Sequence, residues 1–319
     1  MANTLQISYG KRSVRIAGVR DREDKVANPE VECIWKGPDI LGEGPIWNWK
    51  ENALYWVDSD KPAIRRIDSD TNEVTTWDVP ETIGSMVFRE AGGVVAGLWQ
   101  GGFSFIDLDT GEVTPIANPD PDNPITRLND GKCDRAGRYW SGTMDTTFND
   151  RLGKLVRLDT DLSCTVMDEG FYVTNGIAWS PDNQTMYYSD SRGRTVYAYD
   201  FDINTGDLAN RRNFISREGE EGRIDGATVD TDGCYWAAHI NGWEVAQYDP
   251  AGKLMRTIPV PIRYPTMCTF GGPDLDIVYV TSLSWEIEPG DNEASPLAGG
   301  LFAIRGTGAT GIREAFFAG

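Results

Sequence analysis

The chain has 319 residues, with 30 lysines and arginines against 49 aspartates and glutamates, which gives a net charge of −19. A chain this acidic argues against nucleic acid or an anionic membrane as a partner, because phosphate groups are bound by basic patches. Apolar residues make up 40% of the chain, which is enough for an extended core and excludes disorder of the whole chain.

The N-terminal segment, residues 1–28, is charged and has no apolar run and no clear alternation of apolar and polar residues. We expect a partly ordered arm here, with a flap or an oligomer contact as the alternative. No secretory signal and no membrane-spanning segment is predicted, which favours a cytoplasmic protein.

After this arm, six strand-like segments recur at intervals of 39 to 48 residues. Their centres are Trp56, Val95, Tyr139, Tyr187, Tyr235 and Val278. Five of the six are followed by an apolar residue, an aspartate and turn residues, a pattern typical of β-hairpins. A repeat of this length without helical periodicity indicates a propeller. The sequence therefore predicts an all-β fold, a six-bladed β-propeller over residues 29–319.

The ring of blades has to close, and one more strand is needed beside the last blade. Residues 31–35 are predicted to supply it by pairing with residues 300–305. Five widely spaced cysteines without a Cys-x-x-Cys pair are interpreted as thiols rather than as disulfides or metal ligands.

A second strand precedes each of the six segments and starts with a polar side chain. The equivalent residues are Glu43, Ser85, Asn129, Asn175, Asp225 and Thr266. As innermost strands, these six should converge at one mouth of the central channel. Carboxylates and carboxamides confined there need a cation or a water network. The pattern favours a divalent metal with oxygen ligands, and a water-filled polar channel is the alternative.

Several classes of site are excluded by what the chain lacks. His239 is the only histidine, so a three-histidine zinc site is impossible, and we interpret this residue as interior packing. The chain has no phosphate-binding loop and no dinucleotide-binding glycine motif, so nucleotide chemistry has no support.

Several ordered segments resemble one known family. They are GEGPIW at 42–47, RLNDGKCDRAGRYWSGTM at 127–144, TNGIAWSPD at 174–182 and DGATVDTDGCYW at 225–236. With their blade-length spacing, they resemble the sugar lactonases of the senescence marker protein, gluconolactonase and regucalcin family. The resemblance extends from about residue 31 to the end of the chain.

The resemblance implies one divalent ion on the propeller axis. The family's metal ligands fall on Glu43, Asn175 and Asp225, and its substrate-binding residues fall on Arg127 and Asn129. The ion would be Ca²⁺, Zn²⁺, Mn²⁺, Mg²⁺ or Fe²⁺.

A further acidic substrate contact of the family falls near Thr147, which is not acidic here. Asp145 lies close by in the sequence, and we take it as the candidate for that role. The departure bears on which sugar is preferred.

The implied activity is hydrolysis of a sugar lactone to the free sugar acid, with the lactone as a small-molecule partner. Asp225 is the candidate general base and Glu43 the second candidate. Two alternatives remain open at this point. In the first alternative, the site belongs to a hydrolase of organophosphates or aryl lactones. In the second, the chain is a calcium-binding propeller without catalytic activity.

Overall fold

The computed structural model describes residues 29–287 and 289–319. The predicted N-terminal arm, residues 1–28, lies outside the described residues. Regular structure in the described part consists of 24 β-strands and one helix of four residues. In chain order they are β1 Glu30–Trp35, β2 Gly42–Asn48, β3 Ala53–Asp58, β4 Ala63–Asp68, β5 Val74–Asp78, β6 Ile83–Phe88, β7 Val94–Leu98, β8 Gly102–Ile106, β9 Val113–Ala117, β10 Thr126–Cys133, β11 Tyr139–Asp145, β12 Gly153–Leu158, β13 Cys164–Phe171, β14 Thr174–Trp179, β15 Thr185–Asp190, β16 Thr195–Phe201, β17 Leu208–Ser216, β18 Arg223–Val229, β19 Tyr235–Ile240, β20 Glu244–Tyr248, β21 Leu254–Pro259, β22 Pro265–Gly271, β23 Ile277–Ser282, α1 Asp291–Ala294 and β24 Leu301–Arg305.

The strands form six four-stranded antiparallel sheets. Blades 1 to 5 each use four consecutive strands, starting from β2, β6, β10, β14 and β18, and blade 6 contains β22, β23, β24 and β1. The first strand of every blade contacts the first strand of the next, and β22 contacts β2. Six innermost strands therefore encircle a central channel, and the predicted six-bladed propeller is confirmed.

Blade 6 closes the ring with a strand from the other end of the chain. In its pairing with β24, Glu30 lies opposite Arg305 and Trp35 lies opposite Leu301. This confirms the closure predicted from the sequence. Both ends of the propeller domain are thereby held in one sheet, which leaves only short, protected edges.

The core lies between the faces of neighbouring blades, and its largest buried side chains include Trp140 and Trp236. Each indole donates from Nε1 to an aspartate six residues earlier, Asp134 at 2.9 Å and Asp230 at 2.8 Å. The same aspartates accept backbone N–H groups of the tight turn that joins the first two strands of the blade. One carboxylate thus fixes both the turn and the core tryptophan. All five cysteines are free thiols, as predicted.

The C-terminal tail, residues 306–319, crosses the face of the propeller at which the innermost strands end. It leaves blade 6, and Phe317 donates its backbone N–H to the carbonyl of Phe88 in blade 2. Inside the channel, Lys132 Nζ lies 3.0 Å from Glu314 Oε1 of the tail and also donates to a backbone carbonyl of β18. The tail and this buried ion pair fill the end of the channel opposite the candidate site.

Candidate active site

All six innermost strands share an irregularity near their start. Each pairs with its neighbour through a shift in register, the mark of a β-bulge. The shift follows Glu43 in blade 1 and Asn175 in blade 4, and it spans Asp225 in blade 5. A bulge interrupts the regular alternation of side chains and re-aims one of them. The bulges therefore help to set where the polar side chains at the channel mouth point.

A cavity of about 440 Å³ opens at this mouth. Four of the six equivalent residues line it, namely Glu43, Asn129, Asn175 and Asp225, together with Arg127. Asn129 Nδ2 donates to Asn175 Oδ1 at 3.1 Å, and Asn175 Nδ2 donates to Asp225 Oδ1 at 2.5 Å. The structure thus brings together the three residues assigned to a metal and the two assigned to substrate by the resemblance.

The other two equivalent residues, Ser85 and Thr266, do not line the cavity. Ser85 Oγ donates to the backbone carbonyl of Asn129 at 2.7 Å and contacts the hydroxyl of Tyr139. Thr266 Oγ1 donates to the carbonyl of Gly42 at 2.5 Å. The expectation that all six side chains converge is wrong for this pair, because their short hydroxyls are bound to the backbone of the neighbouring blade.

Arg127 begins the series of hydrogen bonds across the mouth. Its Nη1 donates to Asn129 Oδ1 at 2.8 Å and to the carbonyl of Leu128 at 3.0 Å. Since Asn129 in turn donates to Asn175, one continuous series runs from the guanidinium of Arg127 to the carboxylate of Asp225. Each amide in it has a fixed orientation, so the donors facing the cavity are held in place before any ligand arrives.

The two cavity carboxyls favour the protonated form. Burial raises the pKa of Glu43 well above its ordinary value, and the charges of Asp225 and Asp130 raise it further. The pKa of Asp225 rises to about 7, chiefly because this carboxyl is buried, while the positive charge of Arg223 acts in the opposite direction. Ionisation of either carboxyl therefore has a free-energy cost, and a nearby cation would reduce that cost.

The donor set fits a hard divalent cation. Glu43 and Asp225 offer carboxylate oxygens, and Asn175 offers an amide oxygen, the ligand types that such ions take from proteins. Asp130, in the neighbouring part of the channel, also has one buried carboxyl oxygen, Oδ1, without a hydrogen-bond partner among the described residues. The described residues contain no cluster of three histidine, cysteine, aspartate or glutamate side chains arranged to hold a metal, so the amide is a necessary member of this set.

Asp145, the remaining predicted substrate contact, is not in the cavity lining. Its carboxylate accepts backbone N–H groups from Thr147, Asn149 and Asp150, and also the hydroxyl of Thr147. Burial alone would raise the pKa of Asp145, but the hydrogen bonds from Asp150 and Thr147 outweigh it and lower the pKa. The structure therefore places this aspartate as the support of its own loop and not beside the other site residues.

Sequence reasoning missed several residues of the cavity wall. They include the apolar residues Phe148, Ile240 and Trp285 and the two arginines Arg192 and Arg223. Arg192 lies in the turn after β15, and Arg223 starts β18. The residue in the place of Arg192 in the equivalent turn of blade 1 is Asp60, so the repeat gave no signal for an arginine there. Arg223 lies two residues before Asp225 at the start of the same strand, and that closeness in sequence is the signal that could have found it.

His239, the single histidine, is fully buried away from the cavity lining. Its Nδ1 lies 2.9 Å from Glu244 Oε1, and its Nε2 lies 3.0 Å from the hydroxyl of Tyr248. The predicted interior role is confirmed. Within the described residues, no helix is both long enough and apolar enough to cross a membrane.

Comparison with known proteins gives one consistent result. Residues 41–284 match the model of the SMP-30/Gluconolactonase/LRE-like region. The chain is 36% identical to regucalcin of Xenopus laevis over 91% of its length and 99% of the relative. It is also 36% identical to 6-deoxy-6-sulfogluconolactonase of Pseudomonas putida, over 92% of this chain and all of the relative. Among solved structures, a luciferin-regenerating enzyme superposes with a TM-score of 0.86 at 28% identity, covering 91% of this chain and 100% of the other.

Proposed function

Because the chain belongs to the SMP-30/Gluconolactonase/LRE-like family, we propose that it is a lactonase that hydrolyses the cyclic ester of a sugar acid to the free acid. The Pseudomonas putida relative is named for a reaction of this kind. The observation that carries the proposal is the hydrogen-bonded series from Arg127 to Asp225 inside one cavity. It places fixed donors for an ester beside a carboxyl able to take up a proton.

The proposed activity depends on one divalent cation, which Glu43, Asn175 and Asp225 would hold. When bound, such an ion supplies Lewis-acid polarisation of the ester carbonyl. The raised pKa values of the two carboxyls and the oxygen-only donor set support this assignment. Ca²⁺, Mg²⁺ and Mn²⁺ suit oxygen donors best, and Zn²⁺ and Fe²⁺ also accept carboxylates, so reconstitution with each ion decides between them.

Asp225 is the proposed general base. Its Oδ1 accepts hydrogen bonds from Asn175 and from Ser191, whereas its Oδ2 accepts none from the described residues. Oδ2 is therefore the oxygen that would take a proton from the attacking water as the new C–O bond forms. The same proton would then pass to the ring oxygen as the ester C–O bond breaks. Glu43 is the second candidate for this role.

Arg127 and Asn129 are proposed to orient the lactone. Arg127 donates hydrogen bonds from Nη1 to Asn129 and to a backbone carbonyl, while its Nη2 donates to none of the described residues. That free edge faces a cavity wide enough for a sugar ring. Donors held in place in this way contribute through orientation of the ester more than through added affinity.

Proton release tests the proposal directly. Metal-stripped protein is assayed on five- and six-membered aldonolactones, without metal and after addition of each candidate ion, with spontaneous hydrolysis subtracted. We expect turnover that requires an ion and falls by about 10²- to 10⁴-fold in Asp225→Ala. Asp145→Asn is the matched control, because that carboxylate lies outside the cavity and its loss should leave metal-dependent turnover of the folded protein in place.

Two results would contradict the proposal. Turnover of aryl lactones or organophosphates alone would assign the site to another ester class. Binding of Ca²⁺ without hydrolysis of any ester would identify a calcium-binding propeller.

A further inference from the structure

Two arginines on the cavity wall have no part in the proposed reaction. Arg192 is exposed in the turn after β15, and Arg223 is half-buried at the start of β18. Both line the same cavity as Asp225. Arg223 lies two residues before the proposed base, at the start of the same strand.

Neither guanidinium has a direct acceptor in the protein. Among the described residues, no side chain or carbonyl accepts a hydrogen bond from Arg192 or Arg223, and no carboxylate pairs with either at ion-pair distance. Asp225 acts on Arg223 only through the longer-range effect of its charge. Neighbouring arginines do have acceptors in the protein. Arg194, in the same turn as Arg192, donates to the carbonyl of Glu220 at 2.8 Å, and Arg217 pairs with the carboxylate of Glu220 at 2.5 Å.

This lack of partners is notable in a chain with 19 more acidic than basic residues. A half-buried guanidinium has five N–H donors, and leaving them without acceptors is costly. Among the described residues, the carboxylates that line the cavity are Glu43 and Asp225, which are assigned to the cation. The N–H donors of the arginine pair are thus left for a ligand.

We infer that Arg192 and Arg223 bind an acidic substituent on the end of the sugar that is farthest from the ester, so that the preferred substrate is an anionic lactone. The inference rests on the proposed lactonase function and specifies its substrate class. A carboxylate, a phosphate or a sulfonate has the same chemistry for this purpose, since each presents oxygens that a planar guanidinium binds in pairs. The carboxylate released by hydrolysis forms at the other end, beside Asp225.

The test compares lactones that differ in charge within one ring size. Wild-type protein is assayed on glucono-1,5-lactone and on its 6-phospho and 6-deoxy-6-sulfo analogues. Glucaro-1,4-lactone, which carries a carboxylate, is compared with the neutral glucono-1,4-lactone. We expect kcat/KM to be highest on one of the acidic members, which identifies the acidic group. Arg192→Met should lower kcat/KM for that member by about 10- to 100-fold and change it less than threefold for the neutral lactone. Arg223→Met should lower kcat/KM for that member by about 10- to 100-fold more than it lowers kcat/KM for the neutral lactone, because loss of its charge also acts on Asp225.

Controls separate recognition from folding. Arg223→Lys keeps the positive charge and should retain part of the preference, whereas Arg212→Met removes an exposed arginine of β17 and should change nothing. Titration calorimetry with 6-phosphogluconate and gluconate gives a readout without turnover. Tighter binding of the phosphate-bearing acid, lost in Arg192→Met and Arg223→Met, supports the anion site even if hydrolysis fails.

Two outcomes would overturn the inference. Faster turnover of the neutral lactone, with equal losses on all substrates in the variants, would remove the anion site and leave the lactonase intact. Equal binding of the two acids with no turnover of any lactone would overturn both proposals together.

Discussion

Replacing Asp225 with asparagine is expected to stabilise the metal-free protein while it removes the activity. The carboxylate lies in a buried site that also contains Glu43, and the pKa of Asp225 rises to about 7. An unfolded aspartate titrates near its ordinary value of 3.8. The folded protein therefore binds this proton more tightly than the unfolded chain does. Stability is lost as pH rises from about 4 through 7, and the loss is complete above that range.

The size of the effect follows from the two pKa values. Their difference corresponds to about 4 kcal/mol at pH 8, of which roughly two thirds arises between pH 5 and pH 8. Water entering the cavity reduces the figure, so we expect Asp225→Asn to gain about 2 kcal/mol over wild type at pH 8. The gain should be small at pH 5, where the wild-type carboxyl is already protonated.

Urea unfolding in the presence of a chelator, at pH 5 and at pH 8, measures this difference. Asp134→Asn is the matched control, because Asp134 is also fully buried but accepts hydrogen bonds from Arg138 and Trp140 at 2.6 and 2.9 Å. That variant should lose about 3 kcal/mol at both pH values. The reasoning would be refuted if Asp225→Asn were less stable than wild type at pH 8, or if its gain did not grow with pH.

Two further predictions concern the ion and the bulged strands. We expect Ca²⁺ to raise the melting temperature of the wild-type protein, because a ligand stabilises the fold that binds it, and we expect Glu43→Gln to abolish this rise. An unchanged shift in the variant by differential scanning fluorimetry would remove Glu43 from the ion site. Gly176→Ala should cost about 2–3 kcal/mol, since Gly176 has φ of 60° and a Cβ there would clash with the Tyr235 hydroxyl. The loss should shrink in a Tyr235→Phe background, and an equal loss in both backgrounds would contradict the clash.

The blades and their closure were predictable because they depend on patterns that the whole fold repeats. Apolar strands with hairpin turns at blade-length intervals give the number of blades, and residues 31–35 were the only strand-like segment left to complete the last one. The strand β1 pairs as this logic requires. Glu43, Asn175 and Asp225 likewise converge on one cavity because they start equivalent innermost strands.

What could not be predicted depends on contacts between blades and on single loops. Ser85 occupies an equivalent position, yet its short side chain is bound to a neighbouring backbone carbonyl, and sequence spacing does not report such a bond. Asp145 lies near the site in the sequence, but backbone N–H groups of its own loop occupy its oxygens. Arg192 stands in a turn whose counterpart in blade 1 has Asp60 at that place, so only the fold brings Arg192 to the same cavity as Arg223.

The C-terminal tail limits the routes by which small molecules can enter and leave the channel of the propeller. Residues 306–319 and the buried pair of Lys132 and Glu314 fill the channel end opposite the site. Under the proposed function, the lactone and the sugar acid would therefore pass through one opening, in turn. Release of each acid would then precede entry of the next lactone, and Arg192 and Arg223, which line that cavity, would lie on the route of both.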